Sequence, residues 1–456
     1  MRDIFIVLIF ILVLFQTLRA PYAGVLGWTW LTLMTPHKLA YGFANALPFN
    51  FILAIITLLA WMLSSKEPKK IPGNTLIIVC SAFIAFTTIT SVLALSPALA
   101  WARWDRTFKT LILGLLAATL INSRRRMEAM IWIIVVSLGY YGIKGGVFTL
   151  LTGGHSRVLG AEDSSFVDNN YLAAMLCMTL PLLNYLRLRF DKSLMRTALT
   201  GSMFFTAIAV AGTYSRAGMV GLAVMSCFLW WHSRSRLPIL VAVIGIMIVT
   251  WNYMPSGWID RMETIQNPDA DDSFADRLDS WAVQLNIANA RPLIGGGFDA
   301  SENSEIYEKF SYGKSIYARR AKIIKNLDVW GNTGGHAAHS IYFEVLGDQG
   351  YPGTILFFSL IILMWRQLGK IVAASHKNSS VAWAGDMASM LRVTVIAFLT
   401  TGAAASLAYC DFLFLLVGLT ASLSVLVEES SEKTIGSWIP AAITSEKLPV
   451  PNAERI

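Results

Sequence analysis

Several short runs in this chain bring together side chains able to do chemistry. The richest is Gly335-His336-Ala337-Ala338-His339-Ser340-Ile341-Tyr342-Phe343-Glu344-Val345-Leu346-Gly347-Asp348-Gln349-Gly350, where a polar stretch turns into an apolar one. At such a junction His339 can reach both a lipid headgroup and an aqueous acceptor. Its imidazole takes up a proton near neutral pH, as the general base for a hydroxyl nucleophile must. A capping or interface histidine fits the position equally well. His336 could join His339 as a metal pair on one helical face, but no third ligand stands at a suitable spacing, so no metal site is expected.

Thr213-Tyr214-Ser215-Arg216-Ala217-Gly218 is a very short connection between two apolar runs. An arginine held there is costly unless paired; a lipid-linked phosphate is one partner, and snorkelling to ordinary headgroups is the other reading. Asp276-Arg277-Leu278-Asp279-Ser280-Trp281 is followed by Arg291-Pro292-Leu293-Ile294-Gly295-Gly296-Gly297-Phe298. Arg277 can meet an anion or simply pair with Asp276 or Asp279. The glycines permit close backbone approach but match neither phosphate-loop pattern, which disfavours nucleotide binding. Arg103, Arg106 and Lys109 follow at i, i+3 and i+6 on one helical face, a grip for a diphosphate-lipid headgroup or a snorkelling stripe. Asp269-Ala270-Asp271-Asp272 has the look of a D-x-D metal motif, yet no second ligand cluster accompanies it, and a solvated loop is the preferred reading. Asp168-Asn169-Asn170 reads as a helix cap that can also line a polar site.

The elements that must position these residues are membrane helices. The 456 residues are 55% hydrophobic and 14% charged, where a soluble domain carries about 25% charge. The formal charge of +8 does not point to nucleic acid, because the basic residues sit in short tracts between apolar runs. Cys80, Cys177, Cys227 and Cys410 are isolated and form neither a disulfide framework nor a zinc pattern. Runs of the length a membrane helix needs, about 20 residues, recur at 46–63, 75–96, 107–122, 128–150, 170–186, 197–212, 217–231, 237–253, 341–364, 385–407 and 411–427. The start, Ile4–Leu18 and Tyr22–Met34, reads as a retained anchor followed by a second short apolar helix. The expectation is an all-α polytopic membrane protein with about 12 spans, 13 being the alternative.

Lysines and arginines alternate between loops, which puts Lys66/Lys69/Lys70, Arg124–Arg126, Arg187/Arg189/Lys192/Arg196, Arg234/Arg236 and Arg366/Lys370/Lys377 on the cytoplasmic side of a bacterial inner membrane. The opposite loops then face the periplasm. The division expected is residues 1–253 as transmembrane helices 1–9 or 10, 254–340 as a periplasmic helical loop, 341–427 as C-terminal spans and 428–456 as a cytoplasmic tail. Within the loop, helices are expected over Asp276–Ala290 and Ile306–Ile324. A polyprenyl-linked sugar transporter would also have many spans, but transport favours broken helices around a midplane site, whereas the polar candidates here gather at one face.

Taken together, S-R-A-G after a span, R-L-D-S-W followed by P-L-I-G-G-G, and H-S-I-Y-F-E-V-L-G-D-Q-G, in that order and around one large late loop, resemble the O-antigen ligase (WaaL) superfamily over roughly residues 75–427. The opening, through R-A-P-Y-A-G-V-L-G-W-T-W-L-T-L-M-T-P-H-K-L, is similar to the O-glycosylation ligases that accompany exosortase-type systems. The chain departs from the family in having Ser340 after His339, where asparagine is usual, and Asp348 where glutamate is common. The resemblance implies a GT-C-like glycosyltransferase that moves a glycan from undecaprenyl diphosphate to a hydroxyl of lipid A–core, with inversion and without metal or other cofactor. Protein O-oligosaccharyltransferases and O-antigen polymerases use the same donor with other acceptors. His339 becomes the base, and Arg216 and Arg277 the catalytic diphosphate clamp. Lys109, Arg291, Arg103, Arg106, Asn169, His336 and Tyr342 become substrate-binding candidates, and membrane lipid a further partner.

Overall fold

A computed structural model describes residues 2–162, 164–191, 194–232, 250–263, 272–311 and 335–436, with positions 237, 244, 245 and 248. Among the described residues every regular element is helical. In chain order they are α1 (Arg2–Arg19), α2 (Pro21–Met34), α3 (Phe49–Leu63), α4 (Thr75–Val92), α5 (Pro97–Leu120), α6 (Arg124–Leu151), α7 (Asn169–Arg189) and α8 (Leu194–Gly212). Then come α9 (Arg216–His232), α10 (Ser256–Glu263), α11 (Asp272–Ala290), α12 (Ser304–Ser311), α13 (Ile341–Lys377), α14 (Ala382–Gly402) and α15 (Asp411–Gly436). Seven of them, α4, α6, α7, α8, α13, α14 and α15, are long and apolar enough to cross a membrane, and the apolar α3 and α9 are shorter.

Most expected spans coincide with these helices. α5 starts at Pro97, well before the apolar run at 107, because proline's fixed φ suits a helix's first position. α15 passes the expected boundary at 427. The expected span 237–253 lies largely outside the described residues, as does the expected helix 306–324 beyond Ser311.

Close helix contact depends on small residues. A Cβ on Gly114 of α5 would stand 2.6 Å from the Phe414 carbonyl oxygen of α15, and one on Gly418 would strike the Gly114 carbonyl. The two backbones therefore touch, the contact that small residues allow when apolar burial gives no preference between lipid and protein. Hydroxyls along these helices turn back on their own ladder: Thr29, Thr57 and Thr179 each donate to the carbonyl four residues earlier, which satisfies their O–H without water.

The break in α13 matters most for the site. Gly350 leaves the helical region at φ 64° and ψ −170°, and Pro352 follows. Pro352 has no N–H for the Asp348 carbonyl, and the turn at Gly350 redirects the Tyr351 N–H away from the Gly347 carbonyl. Both freed carbonyls are taken up by the glycine run: Gly296 N–H donates to Gly347 O at 2.8 Å and Gly297 N–H to Asp348 O at 2.9 Å. In return Tyr351 N–H donates to Pro292 O at 2.9 Å. The P-L-I-G-G-G and G-D-Q-G motifs are thus two halves of one backbone joint. Gly295 and Gly297 hold φ +63° and +83°, and a Cβ on Gly295 would lie 2.5 Å from Asp348 O.

Candidate functional site

The joint locks α11 against α13, and the segment 335–340 crosses the top of that pair. Trp281 of α11 stacks on Phe343 of α13 (centroids 4.9 Å, planes 11° apart) and its indole N–H donates to Ala338 O at 2.9 Å. Gln284 donates to the Ser301 hydroxyl at 2.7 Å, and that hydroxyl donates to His336 O at 2.9 Å. His336 N–H returns a bond to Ser301 O at 3.1 Å. His339 takes a left-handed φ of +48°, uncommon outside glycine, and its N–H donates to Ser406 Oγ at 2.9 Å in the loop before α15. The residue before this imidazole and its own backbone N–H are thereby fixed to other elements.

A second wall comes from the turn between α8 and α9. α10 docks on the backbone carbonyls of this turn: Trp258 Nε1 donates to Ala211 O at 3.0 Å and Arg261 Nε to Tyr214 O at 3.0 Å. Ser215 Oγ donates to Asn170 Oδ1 at 2.7 Å, tying the turn to the start of α7.

Between these walls lies a cavity of about 200 Å³ lined by Asn170, Arg261, Asp276, Arg277, Ser280, His336 and His339. Four parts of the chain contribute to it. Burial, and then the Arg277 guanidinium, hold the His339 imidazole below its ordinary value, with Asp168 opposing and His336 adding to the lowering. This environment favours the neutral ring, the form that can accept a proton. Tyr307, held above its usual range by burial, places its ring 5.2 Å from that of His336, edge to face.

The structure brings His339, His336 and Arg277 together. Arg216 is not among the lining residues, but it follows Ser215, which bonds to the lining residue Asn170, and Arg261 bonds to Tyr214 in the same turn. Asn169 points elsewhere, donating to Thr213 O at 2.9 Å; its neighbour Asn170 faces the cavity. Four further candidates have other partners. Lys109 pairs with Asp105 at 2.5 Å over the Phe51 ring. Arg291 donates to Leu93 O at 2.6 Å, closing the end of α4. Tyr342 donates to Leu399 O at 3.1 Å and stacks on Phe358.

Arg103 is the fourth. Its guanidinium stands 3.6 Å from Glu344 and 4.0 Å from Asp299, 5.8 Å from the Tyr409 ring. Glu344 and Asp348 are almost fully enclosed, at 4% and 1% exposure, and Glu344 Oε2 accepts Ala408 N–H at 3.1 Å in the loop that holds His339. Burial raises Asp299 while Arg103 and Arg106 oppose it, and burial, then Asp299, raise Glu302. Arg103 therefore acts as counter-ion to a buried acidic cluster, two contacts away from His339. The D-x-D carboxylates of residues 269–272 lie outside the described side chains.

A chain whose described elements are all helical, seven of them able to cross a membrane, and that gathers histidine and arginine in one cavity falls in a class of multi-pass membrane proteins. Comparison with known families narrows it. Residues 1–190 match a family of unknown function (DUF5935) and residues 201–358 match the family described as O-Antigen ligase. The second match contains Arg216, Arg261, Arg277 and His339. The second match supports the resemblance to the O-antigen ligase superfamily over residues 201–358. No curated protein sequence matches it.

Proposed function

We propose that this chain is a metal-independent, inverting glycosyltransferase that moves a glycan from undecaprenyl diphosphate to a hydroxyl of lipid A–core at the periplasmic face of a bacterial inner membrane. The observation that carries this reading is the cavity itself: the His339 imidazole and two guanidinium groups, from segments far apart in sequence, inside a region matched by the O-antigen ligase family. The proposal includes about 12 GT-C-like spans, with the helices around 254–340 as the periplasmic cap and 428–456 as a cytoplasmic tail.

The chemistry follows from the groups present. His339 takes the proton of the acceptor hydroxyl as its oxygen attacks the anomeric carbon, and the bond from that carbon to the diphosphate oxygen breaks on the opposite side. Negative charge grows on the leaving diphosphate, and Arg277 and Arg261, with Arg216 at the adjoining turn, stabilise it where a divalent ion would otherwise be needed. The substitution passes through one displacement, so the anomeric configuration inverts.

Reconstitution with a defined undecaprenyl-diphosphate glycan and, separately, lipid A–core, a candidate protein or a growing glycan tests the proposal. Transfer to lipid A–core supports it. Transfer only to a protein or only to a glycan would make the chain an O-oligosaccharyltransferase or a polymerase, and no transfer to any acceptor would refute it. Activity is expected to survive EDTA; its loss, with recovery on adding Mg²⁺ or Mn²⁺, would contradict the arginine clamp.

A further inference from the structure

Away from the cavity, a groove of about 440 Å³ opens between α1 and α3, a size within the range of pockets that hold small ligands. Its wall is apolar, formed by Leu18, Ile56, Leu59 and Leu63. Its end is basic and hydroxylic, formed by Arg19, Lys66, Ser64 and Ser65, with no carboxylate among the lining residues. The groove belongs to the part of the chain matched by the family of unknown function.

The surroundings define the occupant. α1 carries an exposed stripe of Ile4, Leu8, Ile11 and Phe15 that runs to Leu18 at the groove, each residue at least half exposed, at the spacing of one helical face, so α1 is a peripheral helix with hydrocarbon beside it. Arg19 is held over the Phe15 ring at 4.1 Å, which fixes its charge at the end of the stripe. The acid next to Lys66 in sequence, Glu67, is engaged elsewhere: both its oxygens meet Arg126, at 2.7 and 2.8 Å, and it is 8% exposed. Trp61 pins the linker by donating to Pro68 O at 2.8 Å, while Lys69 bonds the Trp61 carbonyl. An apolar trough that opens sideways and ends in two cations without a competing acid complements an amphiphile with an acyl tail and an anionic head.

We propose that this groove holds one anionic phospholipid, its acyl chain along α1 and α3 and its phosphate between Arg19 and Lys66. The site is independent of glycan transfer. The test is native mass spectrometry of the full-length protein in nonionic detergent, titrated with phosphatidylglycerol or phosphatidylcholine. Wild type is expected to retain one phosphatidylglycerol at concentrations where phosphatidylcholine is released. Removing both cations in Arg19→Gln/Lys66→Gln should weaken retention about 30-fold, each charge near a headgroup contributing about half of that on a logarithmic scale. Leu59→Trp keeps both charges but fills the trough, and it should lose the lipid as well. Equal retention of the two lipids, or undiminished retention by the double variant, overturns the proposal. A photoactivatable phosphatidylglycerol on wild type needs no variant to fold: cross-links within 15–19 and 56–66 are expected, and cross-links solely elsewhere refute the site.

Discussion

Replacing Gly295 by alanine sets a methyl group against the joint that holds α13 to the glycine run. The new Cβ would stand 2.5 Å from Asp348 O, 2.6 Å from Asp348 C and 2.6 Å from Gly347 O. All three are backbone atoms, so no rotamer relieves the clash, and the strands of the joint must part by roughly 1 Å to restore ordinary van der Waals contact. Two effects add. An alanine at φ +63° costs about 1–2 kcal/mol, and the bonds from Gly296 and Gly297 to the freed carbonyls are worth about 1 kcal/mol each. The variant should lose about 3–4 kcal/mol of stability. Its effect on transfer should be larger than its effect on donor binding, because the first turns of α13 begin directly after His339, and a 1 Å misplacement can cost about 100-fold in rate. Gly201→Ala is the control: nothing lies within 4 Å of its added Cβ, and in a helix interior alanine is favoured by about 0.5–1 kcal/mol. The assay is SDS titration of unfolding with single-turnover transfer for wild type and both variants. If Gly295→Ala unfolds at the same SDS fraction as Gly201→Ala, the interlocking of the two motifs is wrong.

Three further outcomes follow from the same contacts. The acid limb of the rate against pH should lie below 6.5, the ordinary histidine value, because His339 is held low. Removing the nearby cation in Arg277→Gln should move that limb upward, and a limb that stays in place or moves to lower pH contradicts the proximity. Arg103→Gln leaves Glu344 and Asp299 without their counter-ion; breaking such a buried pair costs about 3 kcal/mol, so unfolding should come earlier while donor affinity is unchanged, whereas weakened donor binding at wild-type stability would restore Arg103 as a headgroup ligand. At φ +48°, His339→Gly should be about 1 kcal/mol more stable than His339→Ala, with neither transferring glycan; equal denaturation midpoints would show that the position is not strained.

How much of this was legible in the sequence depended on whether a residue's role is set nearby or across the fold. The seven helices able to cross a membrane were readable because a helix in hydrocarbon must be apolar along its own length. His339 was readable because it lies at a polar-to-apolar boundary, and Arg277 because it stands at the start of a helix-compatible stretch in the polar loop. Arg261 was missed: in W-I-D-R-M-E it looks like any charge on an exposed amphipathic helix, and only docking on the α8–α9 turn, through Trp258 to Ala211 and Arg261 to Tyr214, brings it to the cavity. Arg103, Lys109, Arg291 and Tyr342 had plausible types at plausible depths, but their partners are Glu344, Asp105, Leu93 O and Leu399 O, and three of those four pairings join distant elements. Glu344 and Asp348 were hidden inside an apolar run, although their i, i+4 spacing in a span was the available signal that something must neutralise them. The glycines were read as permitting close approach; that the surface approached is a break in α13 depended on Gly350 and Pro352 acting together.

The central claim is that one cavity separates a base, His339, from an anion clamp built around Arg277. Its most direct test measures lipid-donor binding and single-turnover transfer side by side for wild type, His339→Ala and Arg277→Lys. Losing the imidazole should reduce transfer by about 100- to 10,000-fold, the usual contribution of a general base, and leave donor affinity intact. Arg277→Lys keeps the charge but loses the planar fork, so it should weaken donor binding and slow transfer together. Wild-type transfer by His339→Ala, or loss of donor binding and transfer in equal measure for both variants, would contradict the account.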